Sequence, residues 1–182
     1  MAKVFIAGSR KLSRLNLAVT GKMEEMMSRN AEFLVGDANG ADKALQAFLS
    51  RSGYKNVVVY HVGACRNNLG SWPTKQVETA SDRKSFAYYV AKDSAMAQEA
   101  DCGFMLWDGE SKGTLNNIEV LVGMGKKTLV YFSPERRFYT LASARDLEEL
   151  LSHCDKEAID KSRSEIRRKL PDARQLNLTA SM

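Results

Sequence analysis

The stretch Lys3-Val4-Phe5-Ile6-Ala7-Gly8-Ser9-Arg10 decides the fold. Its apolar run, closed by a glycine turn, reads as a buried strand followed by a loop. The same unit recurs along the chain. Residues 15–29 carry apolar positions at Leu15, Val19, Met23, Met26 and Met27, a helical spacing. Residues 32–35 read as a second buried strand stopped by Gly36, with a turn at 37–40. Residues 41–51 place Ala44, Leu45, Phe48 and Leu49 on one helix face, and Gly53 closes that helix. The valine-rich run 56–61 is a third strand.

Residues 62–81 show no regular period and hold Gly63, Gly70 and Pro73. An irregular segment of this length inside a compact domain is often functional. Beyond it come a helix at 82–99, a strand at 101–107, a turn at 108–112, a helix at 113–125 and a fifth strand at 127–132. Five strands alternating with helices demand parallel pairing and right-handed crossovers. The expected architecture is an α/β, Rossmann-like doubly wound parallel sheet of order 3-2-1-4-5. Its switch point falls between the first and fourth strands.

After Pro134 the pattern changes. Residues 138–141 suit an edge strand and 143–152 a short helix with Leu147, Leu150 and Leu151 facing the body. Residues 155–170 form a highly charged helix with a thin apolar stripe of Ile159, Ile166 and Leu170, read as a solvated terminal helix or a partner contact. The last eleven residues read as a loose tail. The chain thus divides into a Rossmann-like domain at 1–152 and a C-terminal extension at 153–182.

Composition narrows the class. The chain has 182 residues, 44% apolar and 27% charged, ordinary for one globular domain. No apolar run is long enough to span a bilayer, and no signal peptide precedes the first strand, so a cytoplasmic protein without membrane partners is expected. Three cysteines at wide spacing (Cys65, Cys102 and Cys154) give neither a disulfide framework nor a zinc pattern. No metal site is expected; magnesium would arrive with a phosphate ligand. The net charge of +5 sits largely in Arg136, Arg137 and residues 161–169, too mild to identify a polyanion.

In such a sheet the ligand lies beyond the carboxyl ends of the strands. The first loop there offers Gly8, Ser9 and Arg10: close backbone approach, a hydroxyl and a planar cation. The second runs from Gly36 through Asp37, Ala38, Asn39, Gly40 and Ala41 to Asp42, with polar residues of helix-capping type between small ones. The loop after the fourth strand holds Asp108, Gly109, Glu110, Ser111, Lys112, Gly113 and Thr114. Bare N–H groups at a helix start, beside Ser and Thr hydroxyls, make an anion site. The third loop supplies Arg66, Asn67, Asn68 and Trp72, of which Asn67, Asn68 and Trp72 are candidate base contacts. Cys65 has no histidine placed to activate it, and His61 reads as packed.

Together these loops resemble the SLOG superfamily, and its YspA-like branch most. The matching pieces are Gly8-Ser9-Arg10, residues 36–42 and Lys92-Asp93-Ser94-Ala95-Met96. Ala100-Asp101, Ser111-Lys112-Gly113-Thr114 with Ile118, and Gly125-Lys126-Lys127 complete the set. The resemblance covers residues 3–133. It implies a Rossmann-like domain that binds nucleotides or their derivatives, and a homodimer. Members act as sensors, as N-glycosidic hydrolases or transferases such as the Lonely guy phosphoribohydrolases, or as DNA-handling proteins such as DprA. The hydrolases keep a glutamate in a GTxxE pattern, and Asn117 occupies that position here. Glu119 lies two residues on, about 200° around a helix, and so points away. Lys92 or Arg83 stands where the hydrolases carry an arginine.

Three readings follow, in order of preference: a nucleotide-binding module or sensor, a nucleotide N-glycosidase or transferase, and a single-stranded nucleic-acid binder. The second needs a carboxylate near the sugar, for which Asp93, Asp42 and Asp108 are the candidates. The third needs a basic groove with stacking aromatics.

Overall fold

The computed structural model describes residues 1–170; the loose-tail assignment lies outside the described residues. The chain runs β1 (Lys3–Gly8), α1 (Leu17–Ser28), β2 (Glu32–Gly36), α2 (Ala41–Arg51), β3 (Val57–His61), β4 (Thr74–Gln76) and α3 (Phe86–Glu99). It continues with β5 (Cys102–Trp107), α4 (Lys112–Gly123), β6 (Thr128–Phe132), β7 (Arg137–Leu141), α5 (Ala144–Leu151) and α6 (Lys156–Lys169).

All seven strands form one sheet of order β4-β3-β2-β1-β5-β6-β7. Its five central members reproduce the expected 3-2-1-4-5 order. Every pairing is parallel except β6 with β7, which is antiparallel across a short turn. β4 is the addition: three exposed residues inside the segment read as irregular pair with Val59–His61. A strand that short and exposed has no periodicity to betray it.

The unbroken apolar run of β1 follows from its central position. Phe5 and Ala7 enter a core with Leu34, Tyr60 and Trp107, covered by residues from α3, α4, α5 and α6. Val4 and Ile6 enter the opposite core with Phe33, Val35 and Val59, covered by α1 and α2. Both faces are dry, so alternation would leave polar groups buried. Ile159 and Ile166 of α6 belong to the first core, and Arg163 bridges Glu119 on α4 and Glu148 on α5. The charged terminal helix therefore docks on the body of its own chain.

Capping sets the helix starts. Asn16, Ser85 and Ser111 each accept a backbone N–H three residues on, opening α1, α3 and α4. α3 consequently begins four residues later than its apolar spacing predicts, just after Lys84 at φ +65°. No helix among the described residues is long and apolar enough to cross a membrane.

Candidate functional site

β1 pairs with β2 on one side and β5 on the other, and the carboxyl ends of β1 and β5 open at the switch point. A cleft of about 660 Å³ lies there. The loops after β1, β2 and β5 all reach it, through Gly8 and Arg10, Ala38 and Asp42, and Asp108, Ser111, Gly113 and Thr114. α3 forms the remaining wall with Phe86, Tyr89, Val90, Lys92 and Asp93.

The β1 and β5 loops are stitched together. Ser9 is fully buried; its Oγ donates to Asp108 Oδ1 at 3.0 Å and sits 3.4 Å from Thr114 Oγ1. The same Asp108 oxygen accepts the Glu110 and Ser111 amides at 3.0 and 2.8 Å. Ser9 and Asp108 therefore shape the loops. This corrects the assignment of the Ser9 hydroxyl to the ligand and weakens Asp108 as a catalytic acid, since three donors already occupy one of its oxygens. Ser111 caps α4 through Thr114. The amides of Lys112 and Gly113 precede the first intrahelical donor and have no partner among the described residues. A Cβ on Gly113 would meet nothing within 4 Å, so this end of α4 is open.

The second loop is also built differently from the expectation. Gly40, at φ +81°, begins α2 without a side-chain cap. A Cβ there would stand 2.2 Å from the Arg10 carbonyl oxygen, so glycine lets the two loops touch. Neither Gly40 nor Gly36 lines the cleft, and Gly109 (φ +80°) turns over the Phe132 ring instead. Asp37 is fully buried and accepts the Arg66 side chain. It fixes the third loop and is closed to a ligand. Burial opposes its ionisation, but the Arg66 bonds outweigh that and hold its carboxyl below the usual range.

The proposed base contacts are corrected as well. Asn67, Asn68 and Trp72 do not line the cleft. Trp72 is buried and its indole donates to the Tyr54 carbonyl at 2.8 Å. Asn68 bonds both the amide and the carbonyl of Trp72, and Asn67 donates to the Asp37 carbonyl. The polar groups of this loop are consumed in holding it. His61 is buried and its Nδ1 lies 2.7 Å from the Gly63 carbonyl, as a packed residue should. Cys65 is exposed as a residue, but partial desolvation of its thiol, with Asp37 nearby, raises its pKa and disfavours a thiolate.

What the sequence did not single out is the aromatic part of the α3 wall. Tyr89 carries the Arg66 guanidinium 5.2 Å and the Arg10 guanidinium 5.8 Å from its ring centre. Arg66 is committed to Asp37, whereas Arg10 is exposed and forms no salt bridge among the described residues. Deeper along α3, Lys92 is buried with its ammonium 2.6 Å from Asp93 Oδ1. Asp93 Oδ2 accepts Asn117 Nδ2 at 3.1 Å. Asp42 is buried beside them, and that burial pushes its carboxyl up to about 6, against the pull of Lys92. Asp42, Lys92, Asp93 and Asn117 were each marked for other reasons; the α3–α4 contact joins the last three, and Asp42 meets Lys92 from α2 beside Gly36. Glu119 faces α6, 2.6 Å from Arg163, as its helical phase requires. Lys92, not Arg83, lines the cleft. No group of three or more metal-ligating side chains occurs among the described residues.

No family model matches the chain, and no curated protein matches it.

Proposed function

We propose that this protein binds a nucleotide, or a nucleotide-derived phosphate ester, in the switch-point cleft, and acts as a binding module of the SLOG kind. One observation carries the reading. Arg10, without an anionic partner among the described residues, shares a 660 Å³ cleft with the open amino end of α4. Unpartnered amides and a planar cation together complement a phosphate group. The volume suits a nucleotide-sized molecule, and Tyr89 and Phe86 give a base an aromatic wall. Calorimetric titration with the four ribonucleoside triphosphates tests it. Micromolar binding of at least one is expected, weakened at least tenfold in Arg10→Ala; no binding by any of the four refutes it.

A second reading, cleavage of an N-glycosidic bond, is favoured by the buried, cleft-facing Asp42 with a carboxyl near 6. A group at that value can exchange a proton near neutrality. Free base released from a nucleotide by the wild type and not by Asp42→Asn would establish it. The nucleic-acid reading loses the support of Trp72, which is buried.

A further inference from the structure

Three polar side chains at the inner end of the cleft keep unused hydrogen-bonding capacity. Asp42 is 6% exposed; its Oδ2 takes one 3.3 Å bond from the Ala38 amide, and its Oδ1 takes none among the described residues. Lys92 is 4% exposed and gives one of three ammonium protons, to Asp93. Asn117 is 4% exposed, donates to Asp93, and leaves its amide oxygen unmatched among the described residues. No fully enclosed side-chain nitrogen or oxygen among the described residues lacks a partner. The unmatched atoms therefore face the cleft that all three residues line.

The chemistry of the trio is specific. A Cβ on Gly36 would stand 2.4 Å from Asp42 Oδ2 and 2.7 Å from Lys92 Nζ, so carboxylate and ammonium converge on the bare Gly36 backbone. They still form no salt bridge with each other. A carboxylate oxygen, an ammonium and an amide oxygen offer two acceptors and a strong donor. Adjacent hydroxyl groups, each both donor and acceptor, complement that set. A phosphate would be repelled by Asp42 and Asp93, and an apolar group would leave all three unmatched.

Position selects the sugar of a nucleotide. Asn117 lies four residues along α4 from Gly113, about 6 Å by helical rise. That is roughly one sugar ring beyond a phosphate held at the helix start. Along α3 the order is Phe86 and Tyr89 first, then Lys92, so the aromatic wall precedes the polar end. We infer that Asp42, Lys92 and Asn117 read the ribose hydroxyls of the ligand, and that the cleft selects ribonucleotides over 2′-deoxyribonucleotides. The inference rests on the nucleotide reading above.

Calorimetry on the full chain tests it, with ATP, GTP, CTP and UTP and their 2′-deoxy counterparts as probes. For each base that binds, the ribonucleotide is expected to bind at least tenfold more tightly than its deoxy partner. A site built around a hydroxyl leaves buried polar groups unmatched without one. Asp42→Asn and, independently, Asn117→Ala should bring that ratio to within threefold, with circular dichroism reporting an intact fold. Equal affinity for both sugars overturns the inference and leaves the nucleotide reading standing. A preference undiminished in both variants overturns the assignment to these residues. Absence of binding by all eight compounds overturns both readings.

Discussion

Arg66 donates three hydrogen bonds to the fully buried carboxylate of Asp37: from Nη2 at 2.6 Å, from its own amide at 2.9 Å and from Nε at 3.1 Å. The bonds join the loops after β2 and β3 and hold Arg66 against Tyr89 on the cleft wall. Asp37→Ala should cost about 1.5–3 kcal/mol, the range for a hydrogen bond to a charged group, measured by urea unfolding. Because the folded carboxyl is depressed, its contribution is present above its unfolded value and lost as pH falls. The gap between wild type and Asp37→Asn should therefore close below about pH 4.

Asp42 has the opposite sign. Its carboxyl is raised to about 6, chiefly by burial, so the folded state holds the proton more tightly than the unfolded chain. That contribution is complete below the ordinary aspartate value and lost as pH rises through about 6. Asp42→Asn should gain about 2 kcal/mol on the wild type between pH 4 and pH 7, from about 1.4 kcal/mol per pKa unit. Urea melts at the two pH values give the difference; a constant gap contradicts a buried, proton-holding Asp42.

Arg10 is exposed and makes no salt bridge among the described residues, so its removal should scarcely affect folding. Arg10→Ala should shift stability by no more than about 0.5 kcal/mol while weakening nucleotide binding at least tenfold. Thermal melting and calorimetry on one preparation separate the two effects.

Trp72 should behave in reverse. It is buried against Tyr54 and outside the cleft, so Trp72→Ala should cost about 3–5 kcal/mol. Trp72→Phe, which keeps most of the packing, should leave nucleotide affinity within twofold. Loss of affinity in a folded Trp72→Phe would return this side chain to the ligand.

The sheet was legible because its strands announce themselves: Val4–Ala7 is apolar without a break, and Gly8, Gly36 and Gly53 mark the turns. The edge strand β7 and the α6 stripe of Ile159 and Ile166 were legible too, though not the antiparallel direction of β7. β4 was not, since three exposed residues paired only at one edge carry no local pattern. The site was half legible. Sequence located the loops and erred on which atoms they spare. Ser9 and Asp37 belong to residue types that bind ligands, yet Ser9 bonds Asp108 99 positions away and Asp37 bonds Arg66 29 positions away. Tyr89 was hidden for a related reason: on a helix facing the site, it looks like any other residue of an amphipathic pattern.

In the proposed complex a phosphate group sits at the open amino end of α4 beside Arg10. Amide chemical-shift mapping of ¹⁵N-labelled protein, titrated with inorganic phosphate, with a nucleoside and with the nucleotide of the same base, tests it most directly. The Lys112 and Gly113 amides and the Arg10 guanidinium are expected to shift with phosphate and nucleotide and to stay still with the nucleoside. Phosphate shifts that spare Lys112 and Gly113, or identical shifts from nucleoside and nucleotide, would contradict it.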